Sequence, residues 1–183
     1  MIKMSWIRRS TGPTRSCGFA PRWRRLQAVL LLALLWAPTA WAWTLGGQVV
    51  AVLSGDTLRI RDERKVQHTV RLAGVDAPEK FQAHGQRSLD ALRELAFQKY
   101  VTVEGVGSGS PRVGRVRVEG RDIGMEQLQR GAVWYDKSRA QVLPEADRQA
   151  YAAAQEEARL QRTGLWRDKQ PIPPWEYRAG RRK

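Results

Sequence analysis

Cysteine occurs once in the 183 residues, as Cys17, and histidine only twice, as His68 and His84. A lone thiol excludes a disulfide framework, and two histidines without further cysteines exclude the usual Cys/His structural zinc site. Acidic residues are scarce: 18 Asp and Glu stand against 32 Lys and Arg, a formal charge of +14. That imbalance is uneven, because residues 1–42 hold seven basic residues and no acidic ones. The rest keeps 25 basic against 18 acidic residues, or +7, with four positive charges in the last six positions. Half of the basicity therefore says little about the folded body. Long apolar runs are also lacking: the one of note is Leu26–Ala37, twelve residues with a single polar interruption. No internal repeat is visible. The roughly 140 residues beyond this segment suit one domain with one core.

A basic stretch precedes the apolar run, and A-P-T-A-W-A follows it, with small residues at Ala40 and Ala42. These are the parts of a secretory signal, so residues 1–42 are expected to be a leader cleaved before Trp43. Read on to Leu45, the run is 20 residues, barely enough for an uncleaved membrane anchor. The expected location is secreted or periplasmic, with a mature chain free of cysteine.

Gly47–Leu53 and Thr57–Arg61 (T-L-R-I-R) read as strands joined by a turn at Ser54-Gly55-Asp56. Val66–Ala73 is a third strand, and Gly74–Gly85 lacks periodicity and reads as a loop. Leu89, Leu92, Leu95 and Ala96 recur at helical spacing within Gln86–Lys99. Tyr100–Glu104 is a fourth strand, Gly105–Pro111 a flexible link and Val113–Glu119 a fifth strand. Helices are expected at Ile123–Arg130, closed by Gly131, and at Pro144–Gln161, with Gly164 past its end. The segment from Gln170, Pro-rich and then basic, reads as not core-forming. Five short strands with about three helices suggest an α+β protein, a five-stranded OB-fold barrel capped by helices.

The chemistry concentrates between Ser54 and Glu79. Asp56, Asp76, Glu79 and Arg71 fall at turns or strand ends, and Pro78 stiffens the loop that bears two of the acids. Carboxylates beside Gly and Pro suit a hard cation such as Ca2+, which takes carboxylate and carbonyl oxygens and completes its shell with water. Farther on, Arg115 follows Gly114, where a backbone can approach a ligand closely. Acids, a cation and two arginines make a set suited to phosphodiester hydrolysis. Singly, each has an ordinary use: Asp56 as a turn residue, Asp76 and Glu79 as caps or surface acids, Arg71 and Arg115 on wet strand faces.

S-G-D-T-L, V-R-L-A-G-V-D-A-P-E, V-G-R, G-A-V-W-Y, E-E-A-R-x-x-x-x-G-L-W and P-P-W-E-Y-R occur in that order over residues 46–178. The ordered set resembles the staphylococcal nuclease family. The resemblance implies a domain over 43–178 followed by a basic tail at 179–183. It also implies calcium bound by Asp56 and Asp76 with the Ala77 carbonyl, Glu79 as general base or water orienter, Arg71 on the phosphate and Arg115 on the leaving-group side. The implied activity is calcium-dependent hydrolysis of DNA and RNA with little sequence preference, leaving 3′-phosphate ends. Three features depart from the family: Ser54 replaces the first acid of Asp-Gly-Asp, Val113 replaces the tyrosine of Tyr-Gly-Arg, and Ser110-Pro111-Arg112 stands where an acid commonly precedes that motif.

Tyr135 and His84 are candidates for substrate contact, as is Arg112 beside the V-G-R motif. His68, mid-strand, reads as a surface residue. Trp134 reads as core or as a stacking ring, whereas Trp166 and Trp175 read as packing the last helix. No protein partner is indicated, and a monomer is expected. Two other readings carry less weight: a catalytically inactive OB-fold module that binds nucleic acid, and a membrane-tethered envelope interaction protein.

Overall fold

The structure, a computed structural model, describes residues 42–106 and 109–181. The expected leader, up to residue 41, lies outside the described residues. Five strands form the barrel: β1 (Ala42–Ser54), β2 (Thr57–Arg61), β3 (Gln67–Leu72), β5 (Tyr100–Val106) and β6 (Arg112–Val118), with β4 (Val75–Asp76) lying apart. β1 pairs antiparallel with β2 and with β5, β2 with β3, and β5 with β6. Parallel pairing of β3 with β6 closes the ring, with Val70 opposite Arg112, Arg71 opposite Val113 and Leu72 opposite Gly114. A short β7 (Arg121–Asp122) extends β6, and β8 (Trp134–Tyr135) pairs with β4. The expected OB-type barrel with helices is the fold observed.

Strict alternation explains the ring. Leu58 and Ile60, Val70 and Leu72, Val101 and Val103, and Val116 and Val118 point inward and are buried. The residues between them face out, because successive side chains of a strand leave opposite faces. β5 runs through Gly105, which had read as part of a flexible link. A Cβ there would lie 2.5 Å from Trp43 Cζ2 and 2.6 Å from the Val113 carbonyl oxygen, so only glycine lets the three segments close up.

Four α-helices are present among the described residues: α1 (Gly85–Ala96), α2 (Ile123–Gln129), α3 (Glu145–Leu160) and α4 (Pro174–Gly180). α1 buries Ser88, Leu92, Leu95 and Ala96, one helical face, against the barrel. Asp122 caps α2, its Oδ1 accepting from the Gly124 and Met125 backbone N–H groups. Tyr151 of α3 is fully buried, and its hydroxyl donates to Asp122 at 2.8 Å, locking α3 to that cap. Burial, reinforced by the Asp122 carboxylate, pushes the Tyr151 phenol well above its ordinary value, so it remains a donor.

The segment from Gln170 differs from expectation. It docks rather than trails: Gln82 Nε2 donates to the Ile172 carbonyl at 2.6 Å, Tyr177 Oη to that of Phe81 at 3.3 Å, and Pro174 is buried. Pro173 and Pro174 preset the backbone for the first turn of α4. The Trp175 ring meets Trp134 edge-on at 5.7 Å, and Trp134 in turn meets Trp166 at 4.5 Å. Of the two tryptophans expected to pack the end of the chain, Trp166 is buried, whereas Trp175 keeps much of its surface exposed and touches Trp134 edge-on. No helix among the described residues is long and apolar enough to cross a membrane.

Candidate active site

The β1–β2 turn is two residues, Gly55 and Asp56, with Ser54 opposite Thr57. Gly55 admits no side chain, since a Cβ would lie 1.8 Å from Ser88 Oγ, and the turn presses directly onto α1. Asp56 is thereby carried inside, 2% exposed. Its Oδ1 accepts from Ser54 Oγ at 2.7 Å and Thr57 Oγ1 at 2.9 Å. Ser54, where the family often has a second acid, is therefore a donor that fixes Asp56. Oδ2 accepts from Arg71 Nε at 2.9 Å and lies 3.6 Å from Arg139 Nη1.

Asp76, fully buried in β4, is set opposite Trp134. Its Oδ1 meets Arg71 Nη2 at 3.2 Å and Arg139 Nη1 at 2.9 Å, and its Oδ2 meets Arg178 Nη2 at 2.6 Å. Arg178 Nη1 reaches Glu79 Oε1 at 2.8 Å, so one guanidinium spans the buried acid and the half-exposed one. The Asp76 and Glu79 carboxylates raise the Arg178 guanidinium well above its ordinary value against the opposing effect of burial, so it is permanently charged. Arg139 is itself braced: Nη1 donates to the Val75 carbonyl at 3.1 Å, and Nε lies 3.3 Å from Asp136 Oδ2.

The site thus matches three carboxylates (Asp56, Asp76, Glu79) with three guanidiniums (Arg71, Arg139, Arg178). A buried carboxylate without such partners would cost several kcal/mol, about the scale set by ion desolvation after relaxation. Arg139 and Arg178 were not singled out from the sequence. Arg178 carried a usable signal, since Pro-Pro before W-E-Y-R is a helix start that would place it on a turn. Arg139, in the short 3-10 turn Arg139–Val142, carried none.

The other expected residues are placed as follows. Arg115 does not join the cluster: its guanidinium pairs with Asp147, and its Nε lies 3.3 Å from Asp122 Oδ2. It does share the outer face with Arg71. Arg71 stands opposite Val113, and Arg115 is two residues farther along β6, about 7 Å at the usual strand rise. Ala77 is buried directly after β4. Tyr135 is half-buried, its ring edge-on to Tyr151 at 6.5 Å and its backbone N–H bonded to Gln155 Oε1. Arg112 places its guanidinium 5.1 Å from the centre of the Trp43 ring. His84 opens α1 with φ 64°, and its Nε2 lies 2.9 Å from Asp168 Oδ2. His68 bonds Asp62 across the β2–β3 hairpin at 2.8 Å, which holds the Asp62 carboxyl below its ordinary value.

Asp56, at the β1–β2 turn, and Asp76, in β4, supply hard oxygen donors of the kind Ca2+ takes, and the guanidiniums of Arg71 and Arg139 lie against both. No group of three or more His, Cys, Asp or Glu among the described residues forms a fuller cage. A sequence profile of the family described as "Staphylococcal nuclease homologue" matches residues 69–168. Relatives include an "Uncharacterized endonuclease" of Escherichia coli, 37% identical over 72% of this chain and 84% of its own. An "Uncharacterized endonuclease" of Haemophilus influenzae is 35% identical, covering 72% of this chain and 71% of its own. A "Micrococcal nuclease" of Shigella flexneri is 32% identical, covering 80% of this chain and 87% of its own.

Proposed function

Because the chain belongs to the staphylococcal nuclease family, we propose that it is a calcium-dependent nuclease that hydrolyses DNA and RNA to 3′-phosphate ends. One observation carries this reading: two carboxylates at 2% and 0% exposure share the guanidinium of Arg71, with Glu79 at the mouth. Ca2+, held by Asp56 and Asp76 with the Ala77 carbonyl, would supply positive charge against the phosphate and polarise it. Glu79 orients a water and accepts its proton as the oxygen attacks phosphorus. The P–O5′ bond breaks, the leaving oxygen takes a proton from solvent water to end as a 5′-hydroxyl, Glu79 returns its proton to solvent, and the phosphate stays on the 3′ side. Arg71 presents its planar fork to the equatorial oxygens, where charge grows in the transition state. Arg115, farther along the same face, serves the leaving-group side once it turns from Asp122 and Asp147.

The test incubates the full-length protein with single-stranded DNA, duplex DNA and RNA, with Ca2+ or with chelator. Cleavage in Ca2+ alone is expected, with 3′ ends that accept labelling only after phosphatase and 5′ ends that accept it directly. Arg71→Ala and Glu79→Gln should each lower kcat by about 100-fold or more, the scale of losing one transition-state donor or base. If the parent cuts nothing in Ca2+, or both variants cut as fast as it does, the proposal fails. Export is proposed from the leader: N-terminal sequencing of protein recovered outside the cytoplasm should begin at Trp43.

A further inference from the structure

Beyond the carboxylate cluster lies a cleft of about 600 Å3 between α3 and the segment that follows it. Arg159, Arg162, Arg167 and Lys169 line it. Its one acid, Asp168, is already engaged with His84. Among the described residues, Arg162, Arg167 and Lys169 form no ion pair, and Arg159 has only a 3.8 Å approach to Glu156. Four like charges converging on one cleft repel one another. They are suited to a polyanion.

The floor of the cleft is aromatic. Trp134 and Trp166 line it, and the Arg159 guanidinium lies 6.0 Å from the centre of the Trp166 ring. Trp166 is 7% exposed, and its Nε1 is a buried donor without an acceptor. Indole N–H groups in buried positions normally find one.

The cleft lies beside the active site. Trp134 stands opposite Asp76 in the β4–β8 pair. Trp134, Asp168 and Pro171 also line a narrower cavity of about 160 Å3 that reaches Pro78, the neighbour of Glu79. We propose that this basic, tryptophan-floored cleft is a second binding site, which holds the unpaired strand of substrate nucleic acid beyond the nucleotides being cut. Unpaired bases expose faces that aromatic and guanidinium planes can stack on, whereas a duplex hides them. The inference rests on the nucleic-acid reading of the active site but concerns residues outside it.

The test measures binding of labelled oligothymidylates of two and twelve nucleotides to the full-length protein in chelator, across a salt series. It compares the parent with the combined variant Arg162→Gln, Arg167→Gln and Lys169→Gln. Each phosphate contact on a single strand contributes about 0.7 to the salt slope, so three lost contacts should flatten it by about 2. The twelve-mer should bind about 10-fold more weakly at 0.1 M salt. Dinucleotide binding, and dinucleotide cleavage in Ca2+, should be unchanged, which also reports intact folding.

Unchanged twelve-mer affinity and slope would overturn the cleft. So would an equal loss for the dinucleotide, a duplex twelve-mer bound as tightly and weakened as much, or a variant that loses only phosphatidylserine vesicles. The two proposals fail separately. A parent that cuts nothing but shows the length-dependent loss refutes the nuclease reading and keeps a binding cleft. A parent that cuts, and whose twelve-mer affinity ignores the triple change, refutes the cleft alone.

Discussion

Arg178 lies 102 positions from Asp76, yet its two terminal nitrogens hold that acid and Glu79 at once. A planar fork can make both contacts, whereas the point charge of an ammonium serves one direction at a time. Arg178→Ala should therefore lower kcat/KM by about 10-fold, and Arg178→Lys should recover little of it, as initial rates on one oligonucleotide would show. Asp136 acts one step farther out. Burial alone would raise its carboxyl, but the Ser138 hydroxyl and N–H and the Arg139 guanidinium outweigh it and hold the pKa below the ordinary 3.8. A depressed folded value means that its stabilisation is complete above the unfolded value, near 3.8. That stabilisation fades as pH drops from there through the lower folded value. Asp136→Asn should be less stable than the parent in urea near neutrality, with the gap closing in acid below that window. A gap that stays constant with pH would refute the assignment.

Helices and strands are bound together at a few backbone crossings. Gly131, after α2, and Gly164, after α3, meet there: a Cβ on Gly131 would lie 2.2 Å from the Thr163 carbonyl oxygen, at a φ of +59°. Gly131→Ala should cost about 2 kcal/mol or more, since the left-handed backbone alone costs about 1–2 for an L side chain. Urea denaturation would measure it. α3 ends through Arg162, at a φ of +52°, and Gly164 opens the 3-10 turn that follows, whereas Gly131 was legible as a helix terminator, because glycine after a periodic run is a local signal. So were β2 and β6, whose alternation survives as the buried pattern of Leu58 and Ile60 or Val116 and Val118. Arg71 brings Asp56 and Asp76 together across only 15 and 5 positions, a proximity that short strands joined by tight turns favour. α4 was missed because seven residues carry too little periodicity, and its contacts with Phe81 and Trp134 are remote in sequence. The diversion of Arg115 was hidden for the same reason, as Asp147 is 32 positions away.

At the scale of the whole molecule, α4 ties sequence-distant chain to the site, because it rests on the 78–84 loop and supplies Arg178. Ending the chain at Gln170 should leave the barrel folded, with β-type circular dichroism retained. Tryptophan emission should shift as Trp134 loses its contact with Trp175, and cleavage should fall at least about 10-fold with the loss of one charge-assisted fork. A truncated chain that cuts at the parental rate would remove α4 from the site. The ring itself has a further consequence. β3 and β6 form its one parallel seam, and contacts between distant stretches of chain are the slow ones to assemble. Arg71 and Arg115 sit on opposite sides of that seam. Until that seam closes, Arg71 and Arg115 cannot come to stand on one face of the sheet, so the arrangement of both arginines waits on the last long-range pairing of the ring.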